Sequence, residues 1–229
     1  IDSEGVLRLT VQSNGTQLAD TVRVISVRVR RGVNEVPSAR LEIDDGDVAG
    51  NGWQISDSAD LVPGTLLRIS AGYGNAELPL FEGIVVKVGI QVSGDNCSRL
   101  IVECRDKVVG MTVGRKNANY VDQTDGDVIS ALASAHGLTA AVDATAVTHR
   151  ELVQYYCTDW DFMVSRAEVN GLLVIADDGK LSVKAPDVSS EPVLAVSYGS
   201  DLTEFHAEID ARSQWTEVQA VAWSAEEQT

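Results

Sequence analysis

The chain has 229 residues, 44% of them hydrophobic, with 34 Asp and Glu against 18 Lys and Arg for a formal charge of −16. That is enough for one large domain or two small ones with apolar cores, and the acidic balance speaks against binding phosphate backbones. Three cysteines without a C-x-x-C pair (Cys97, Cys104, Cys157) argue against a zinc knuckle or a disulfide framework, although a hairpin could still pair Cys97 with Cys104.

Taken in order, residues 5–12 read as a first strand and Asn14-Gly15 as a hairpin turn. Residues 22–31 form a second strand whose phase breaks between Val24 and Ile25, the mark of a bulge. Residues 38–44 alternate cleanly, with Ala39, Leu41 and Ile43 inward. A long polar connection follows, from Asp45-Gly46 to Pro63-Gly64. Residues 65–71 make the next strand, turning at Gly72 to Asn75 into the longest strand signal, residues 81–92. There Ile84, Val86, Val88, Ile90 and Val92 are expected on one face, and residues 99–106 return with Leu100, Val102 and Cys104 inward. Two long strands after several short ones predict a closed or nearly closed antiparallel barrel.

Beyond Val109 the texture becomes helical. Thr124-Asp125-Gly126-Asp127 and Thr158-Asp159-Trp160-Asp161 are two capped helix starts, with Thr124 and Thr158 as N-caps and Asp127 and Asp161 reaching back to them. Val128, Ile129, Leu132, Ala133 and His136 form the stripe of the first helix, which Gly137 ends. Trp160, Met163, Val164 and Ala167 form that of the second, which Gly171 ends, with Trp160 as its anchor. A short strand leads into the second helix from Glu151. Strands are expected again at 172–177, 181–185, 193–198, 202–211 and 214–223. A weak internal echo between the 80–106 and 202–224 hairpins suggests a duplicated barrel.

Candidate chemistry is sparse. Asp159 and Asp161 flank Trp160, but residues two apart on a helix diverge, and carboxylates in a first turn already serve the helix dipole. Asp125 and Asp127 read the same way. His136, His149 and His206 have no ligand spacing. Cys157 precedes a helix start yet has no neighbouring histidine in sequence, so a buried structural role is expected. Asp44, Asp45 and Asp47 lack the order of a calcium loop and read as a solvated turn. Gly72 and Gly74 read as a turn, not a phosphate cradle. No catalytic, cofactor-binding or metal-binding residue is assigned, and no cofactor is expected. Exposed-looking strand edges call for covering, most simply by oligomerisation.

Val153-Gln154-Tyr155, Thr158 to Phe162 and Glu168-Val169-Asn170-Gly171 resemble the "V-Q-Y-x-E-S-D-F-D-F-L-x-R-L-x-E-E-x-G" segment of VgrG-type spike proteins. Gly72-Tyr73 with Leu80-Phe81-Glu82-Gly83 resembles that family's "G-Y … L-F-x-G" hairpin, and residues 194–205 and 218–223 resemble its tail. The family includes phage late control D proteins, T-even baseplate hubs, type VI secretion tips and spikes of extracellular contractile injection systems. Cys157 departs from it, standing where Glu is common.

The resemblance implies a mainly β fold with a small helical insert: a first hub barrel over 1–108, a helical insert and connection over 109–171, and part of a second barrel over 172–229. It implies a non-enzymatic homotrimer that adapts a hexameric inner tube to a trimeric spike. Its partners would be tube, spike or needle tip and baseplate proteins, with no nucleic acid and no membrane insertion. It would assemble in the cytoplasm into a phage-tail-like particle or secretion apparatus. The first residue, Ile1, and the absence of a needle after Thr229 fit an excised hub region or a spike on another chain. The alternatives are a cell-wall-degrading tail-tip domain using Asp159 and Asp161, or a carbohydrate-binding domain using Trp53, Trp215 or Trp223.

Overall fold

Alternation of apolar and polar residues builds the first half of the molecule. In a computed structural model that describes residues 6–46, 52–73, 76–94, 98–202, 204–219 and 221, seven strands share one antiparallel sheet. They are β1 (Leu7–Ser13), β2 (Thr16–Gln17), β3 (Arg23–Arg30), β4 (Ser38–Asp44), β5 (Leu66–Tyr73), β6 (Ala76–Val92) and β7 (Ser98–Arg105), in the order β2-β1-β5-β6-β7-β4-β3. Asn14 and Gly15 both take positive φ (46° and 84°), so a two-residue turn joins β1 to β2. The bulge expected near Val24 is present between Val24 and Ser26.

The sheet curls around its own inner face. Leu41, Ile43, Leu67, Ile69, Phe81, Leu100 and Val102 are almost wholly removed from water, and Ile55 and Leu61 of the long connection pack against them. No strand ladder joins β3 to β1 or β2, so the ring stays open. A cavity of about 180 Å³, lined by Leu9, Val11, Leu18, Val22 and Val24 among others, marks the seam.

The expected inward face of β6 needs correction. Phe81, Gly83 and Val85 are buried and Val86 is exposed; a bulge between Val85 and Lys87 then resets the phase, and Val88 packs on the core as expected. Ile90 and Val92 lie beyond the buried part of the strand and are also exposed. The two glycines of the hairpin motif are places of close approach. A Cβ on Gly83 would sit 2.6 Å from the Phe81 ring and 2.3 Å from the Arg105 carbonyl oxygen, and one on Gly72 would sit 1.8 Å from the Ala76 carbonyl oxygen.

The second half begins with a 3₁₀ turn, Lys107–Thr112, capped by Asp106. Then come β8 (Lys116–Thr124), α1 (Asp125–Ala135), β9 (Thr139–Val142), β10 (Thr148–Cys157), α2 (Asp159–Val169), β11 (Leu173–Asp177) and β12 (Lys180–Lys184). β8 and β10 form an antiparallel ribbon; β11, β12 and β9 form a second small sheet in which β12 and β9 run parallel. Sequence reading missed β8 and β9, whose alternation is short and mixed with polar residues.

One core serves this half. Val128, Ile129 and Leu132 of α1 meet Trp160, Met163 and Ala167 of α2, together with Val174, Leu181 and Val183 of β11 and β12. Residues 172–184 thus complete the helical part. Asn34 ties the two halves together: its backbone N–H donates to the Val174 carbonyl (2.8 Å), and its side-chain oxygen accepts from the Val174 N–H (2.9 Å).

Asp187–Thr229 forms a separate unit from Ile1–Pro186. The strands expected at 193–198, 202–211 and 214–223 are not formed in its described residues, which carry one isolated bridge, Tyr198 to Leu202, and a 3₁₀ turn at Ala211–Ser213. A strand needs a neighbour to satisfy its N–H and C=O groups. The described residues of this unit supply none, and Val193, Phe205, Ile209 and Trp215 stay exposed. The proposed echo therefore fails here: β6 and β7 pair along a long hairpin, while the described residues after 202 do not.

Candidate functional site

The two Thr-Asp-x-Asp starts place an aspartate at the first position of each helix, and both aspartates are buried. Asp125 is 2% exposed and Asp159 is 4% exposed. Asp125 accepts from Arg166 Nε (2.6 Å) and Nη2 (3.0 Å) and from Asn170 Nδ2 (2.8 Å), and it faces His149 Nε2 at 3.0 Å. Asp159 accepts from Gln154 Nε2 (2.9 Å) and Lys116 Nζ (2.8 Å), and it faces His136 Nε2 at 2.8 Å.

The two clusters are reciprocal. Arg166 and Asn170 lie at the C-terminal end of α2, and His136 is the C-cap of α1. The carboxylate at the start of each helix therefore grips the end of the other, so the helices run antiparallel. Each contact sets negative charge at a positive dipole end and a basic group at a negative one.

Burial alone would raise the Asp125 carboxyl, but hydrogen bonds from Arg166, Asn170 and His149 outweigh it and hold the group well below the ordinary carboxylate range. At Asp159 burial is likewise overcome, by Gln154, Lys116 and His136. Both groups are ionised acceptors at neutral pH with their oxygens already engaged. Gln154, fully buried, extends the second cluster by accepting from the Tyr120 hydroxyl at 2.9 Å. Tyr120 stacks on Phe162 with ring centroids 5.8 Å apart.

The capping residues divide. At Thr124 both bonds of the box form: its hydroxyl accepts from the Asp127 N–H (3.2 Å), and Asp127 accepts from the Thr124 N–H (3.1 Å). At Thr158 only the first forms, from the Asp161 N–H at 3.1 Å. Aspartate closes the box at Thr124, so side-chain length is not the obstacle. Asp161 is exposed while Asp159 points inward, so these carboxylates do not face one another as an acid–base pair. Trp160 is 7% exposed and sits in the helical core.

The other sequence candidates scatter. Cys104 is a free thiol in the sheet core, pushed up to about 12 by burial, and Cys157 is free and half-buried. His206 is exposed in the separate C-terminal unit. Cys97, Asp47, Gly74 and Trp223 lie outside the described residues.

The solvated-turn reading of Asp45 is corrected. It is 6% exposed and accepts from the Ile55 N–H (3.1 Å) and the Ser56 N–H (2.7 Å), fastening the long connection to the end of β4. Asp44 pairs instead with Arg23 at 3.1 Å. Among the described residues no group of three or more His, Cys, Asp or Glu is placed to hold a metal ion. No helix among them is long and apolar enough to cross a membrane.

Sequence reading missed the ionic clusters themselves. It saw Asp125 and Asp159 as first-turn residues and had no means of pairing them with Arg166, Lys116 or the histidines.

Solved structures similar to this chain include phage tail proteins and a type VI secretion component. The chain is similar to the 43 kDa tail protein of prophage MuSo2 from Shewanella oneidensis (TM-score 0.58, 13% identity, 78% of this chain and 53% of that one). It is similar to a tail protein from Neisseria meningitidis MC58 (TM-score 0.58, 16% identity, 82% and 53%). It is also similar to the E. coli c3393 protein, a component of the type VI secretion system (TM-score 0.55, 14% identity, 75% and 48%). The fold is thus of the phage-tail and VgrG-like class, and the chain spans about half the length of these structures. The chain belongs to the Alg8 N-terminal domain family, which matches residues 3–229. No curated protein matches it in sequence.

Proposed function

We propose that this chain is a structural hub of a contractile injection machine, phage-tail-like, type VI or extracellular. Three copies surround an axis and adapt a hexameric inner tube to a trimeric spike. The observation that carries the reading is the fold shared with phage tail and type VI proteins over 75–82% of the chain. Part of one chain of a Francisella PdpA–VgrG complex is similar in fold (TM-score 0.53, 78% of this chain and 31% of that one).

Two further features support it. The buried carboxylates at Asp125 and Asp159 are spent on holding helices together, which suits a mechanical, non-enzymatic part. The Asp187–Thr229 unit exposes Val193, Phe205, Ile209 and Trp215, as expected of segments that complete a second barrel by exchange between chains. The test is the mass of the purified chain, together with its binding to tube and spike proteins. The reading expects a trimer, alone or with its spike. A monomer at high concentration that binds neither tube nor spike would sink it.

A further inference from the structure

The basic residues of this acidic chain are not evenly spread over the sheet. The strand register fixes which side chains share its outer face. One row across β3, β4, β7 and β6 carries Arg30, Ser38, Arg105 and Ile84; the next carries Arg28, Arg40, Glu103 and Lys87. Those two rows hold five cations and one carboxylate. Two rows further along, Arg23, Asp44, Arg99 and Gln91 stand beside the row containing Glu42, and there the charges balance.

Glu103 is shared between Arg40 (3.4 Å) and Lys87 (3.8 Å), Arg40 also meets Glu42 (3.5 Å), and Glu35 reaches Arg30 (2.8 Å). Arg28 and Arg105 make no ion pair among the described residues. With Arg30, Ser38, Arg40 and Glu103 they line a surface cleft of about 190 Å³.

We propose that this outer face of β3, β4 and β7 docks the acidic surface of a second copy of the chain. The neighbour's carboxylates enter the cleft between Arg28 and Arg105. Charge complementarity fits this occupant. Chains of net charge −16 repel one another, and a contact that sets the basic face of one copy against an acidic face of the next offsets that repulsion. Such a contact joins two different surfaces, the head-to-tail kind that closes rings. Guanidinium groups bind carboxylates in forked pairs that lysine cannot match. The choice of a second copy rests on the hub reading.

The test is analytical ultracentrifugation of the full chain with the double variant Arg28→Glu/Arg105→Glu. A control, Lys180→Glu/Lys184→Glu, makes the same net charge change at exposed residues outside the patch. Wild type is expected to self-associate at about 50 mM salt and to dissociate progressively toward about 500 mM, as screened contacts do. The patch variant should weaken association by roughly tenfold or more while the control stays close to wild type. Because its acidic face is intact, the patch variant added to wild type should cap growing assemblies and lower their mean mass. Thermal melting confirms that both variants fold.

A patch variant that assembles like wild type would overturn the proposal, as would a wild-type chain that is monomeric at low salt. Tube and spike binding, measured on the same proteins, judges the hub reading separately. A patch variant that still binds tube or spike but no longer self-associates supports the proposal and leaves the hub reading intact. A self-associating wild type that binds neither tube nor spike removes the hub reading, and the salt and variant results still decide the docking face.

Discussion

The two halves of the Ile1–Pro186 unit fill their interiors differently. The seven-stranded sheet buries aliphatic and aromatic side chains, and its ion pairs, such as Arg40 with Glu103, stand on the outer face in water. The helical half also has an apolar core, but it buries two carboxylates, Asp125 and Asp159, against basic side chains, whereas the buried Asp45 of the sheet half is held by the Ile55 and Ser56 N–H groups. The first arrangement gains from area removed from water and tolerates small errors in direction. The second depends on every partner being in place, because a buried charge left unpaired is costly.

The largest expected effect comes from breaking that dependence. Asp125→Ala strands Arg166, whose side chain is 18% exposed, and should cost about 3–5 kcal/mol in urea unfolding. The double replacement Asp125→Leu/Arg166→Met should recover much of the loss, since a well-packed apolar pair can replace a buried ion pair. If the double variant is no more stable than Asp125→Ala, the cluster does more than neutralise its own charges.

In the sheet the corresponding change is Leu41→Ala, at a residue with no measurable exposure, expected to cost about 2–5 kcal/mol. Gly83→Ala would press its Cβ against the Arg105 carbonyl oxygen as well as the Phe81 ring, so backbone must shift, and it should cost about 3 kcal/mol or more. The variants differ in a second readout, their dependence on pH. The Asp125 and Asp159 carboxyls lie lower in the folded chain than in the unfolded one. Their contribution is therefore present above the unfolded value, about pH 4, and is lost as pH falls below it. Stability measured from pH 6 downward should fall less steeply in Asp125→Asn than in wild type, whereas Leu41→Ala should keep the wild-type slope at a lower level.

The same contrast explains what could be read in advance. Ala39, Leu41 and Ile43 alternate along one strand, so their direction follows from period two, and β4 was legible to its ends. The phase of β6 was not, because the bulge at Val85 depends on its pairing with β7. The helix starts were legible because a cap is made within four residues. The burial of Asp125 and Asp159 was not, because their partners lie 41 residues away in one direction (Arg166) and 23 in the other (His136). The strands expected beyond Val193 have the right composition, but the described residues offer them no neighbour to pair with. Alternation signals a readiness to pair and does not name the partner.

The two caps offer the finest comparison, since both begin Thr-Asp-x-Asp and differ in one bond. Thr124 gives and receives within its box and also has a neighbouring brace, the Gly126 N–H donating to Thr145 Oγ1 at 2.9 Å. Thr158 only receives, from the Asp161 N–H. Replacing either threonine by alanine removes the hydroxyl acceptor and should cost about 1 kcal/mol. Replacing the third-position aspartate separates them. Asp127→Ala removes the acceptor for the Thr124 N–H and should lower the melting temperature. Asp161→Ala removes no such bond and should lower it less, by the loss of its contact with the helix dipole alone. Both aspartates are exposed first-turn carboxylates, so their favourable contact with the helix dipole is similar and cancels in the comparison. Equal losses at the two positions would mean that the dipole, rather than the returned hydrogen bond, carries the effect.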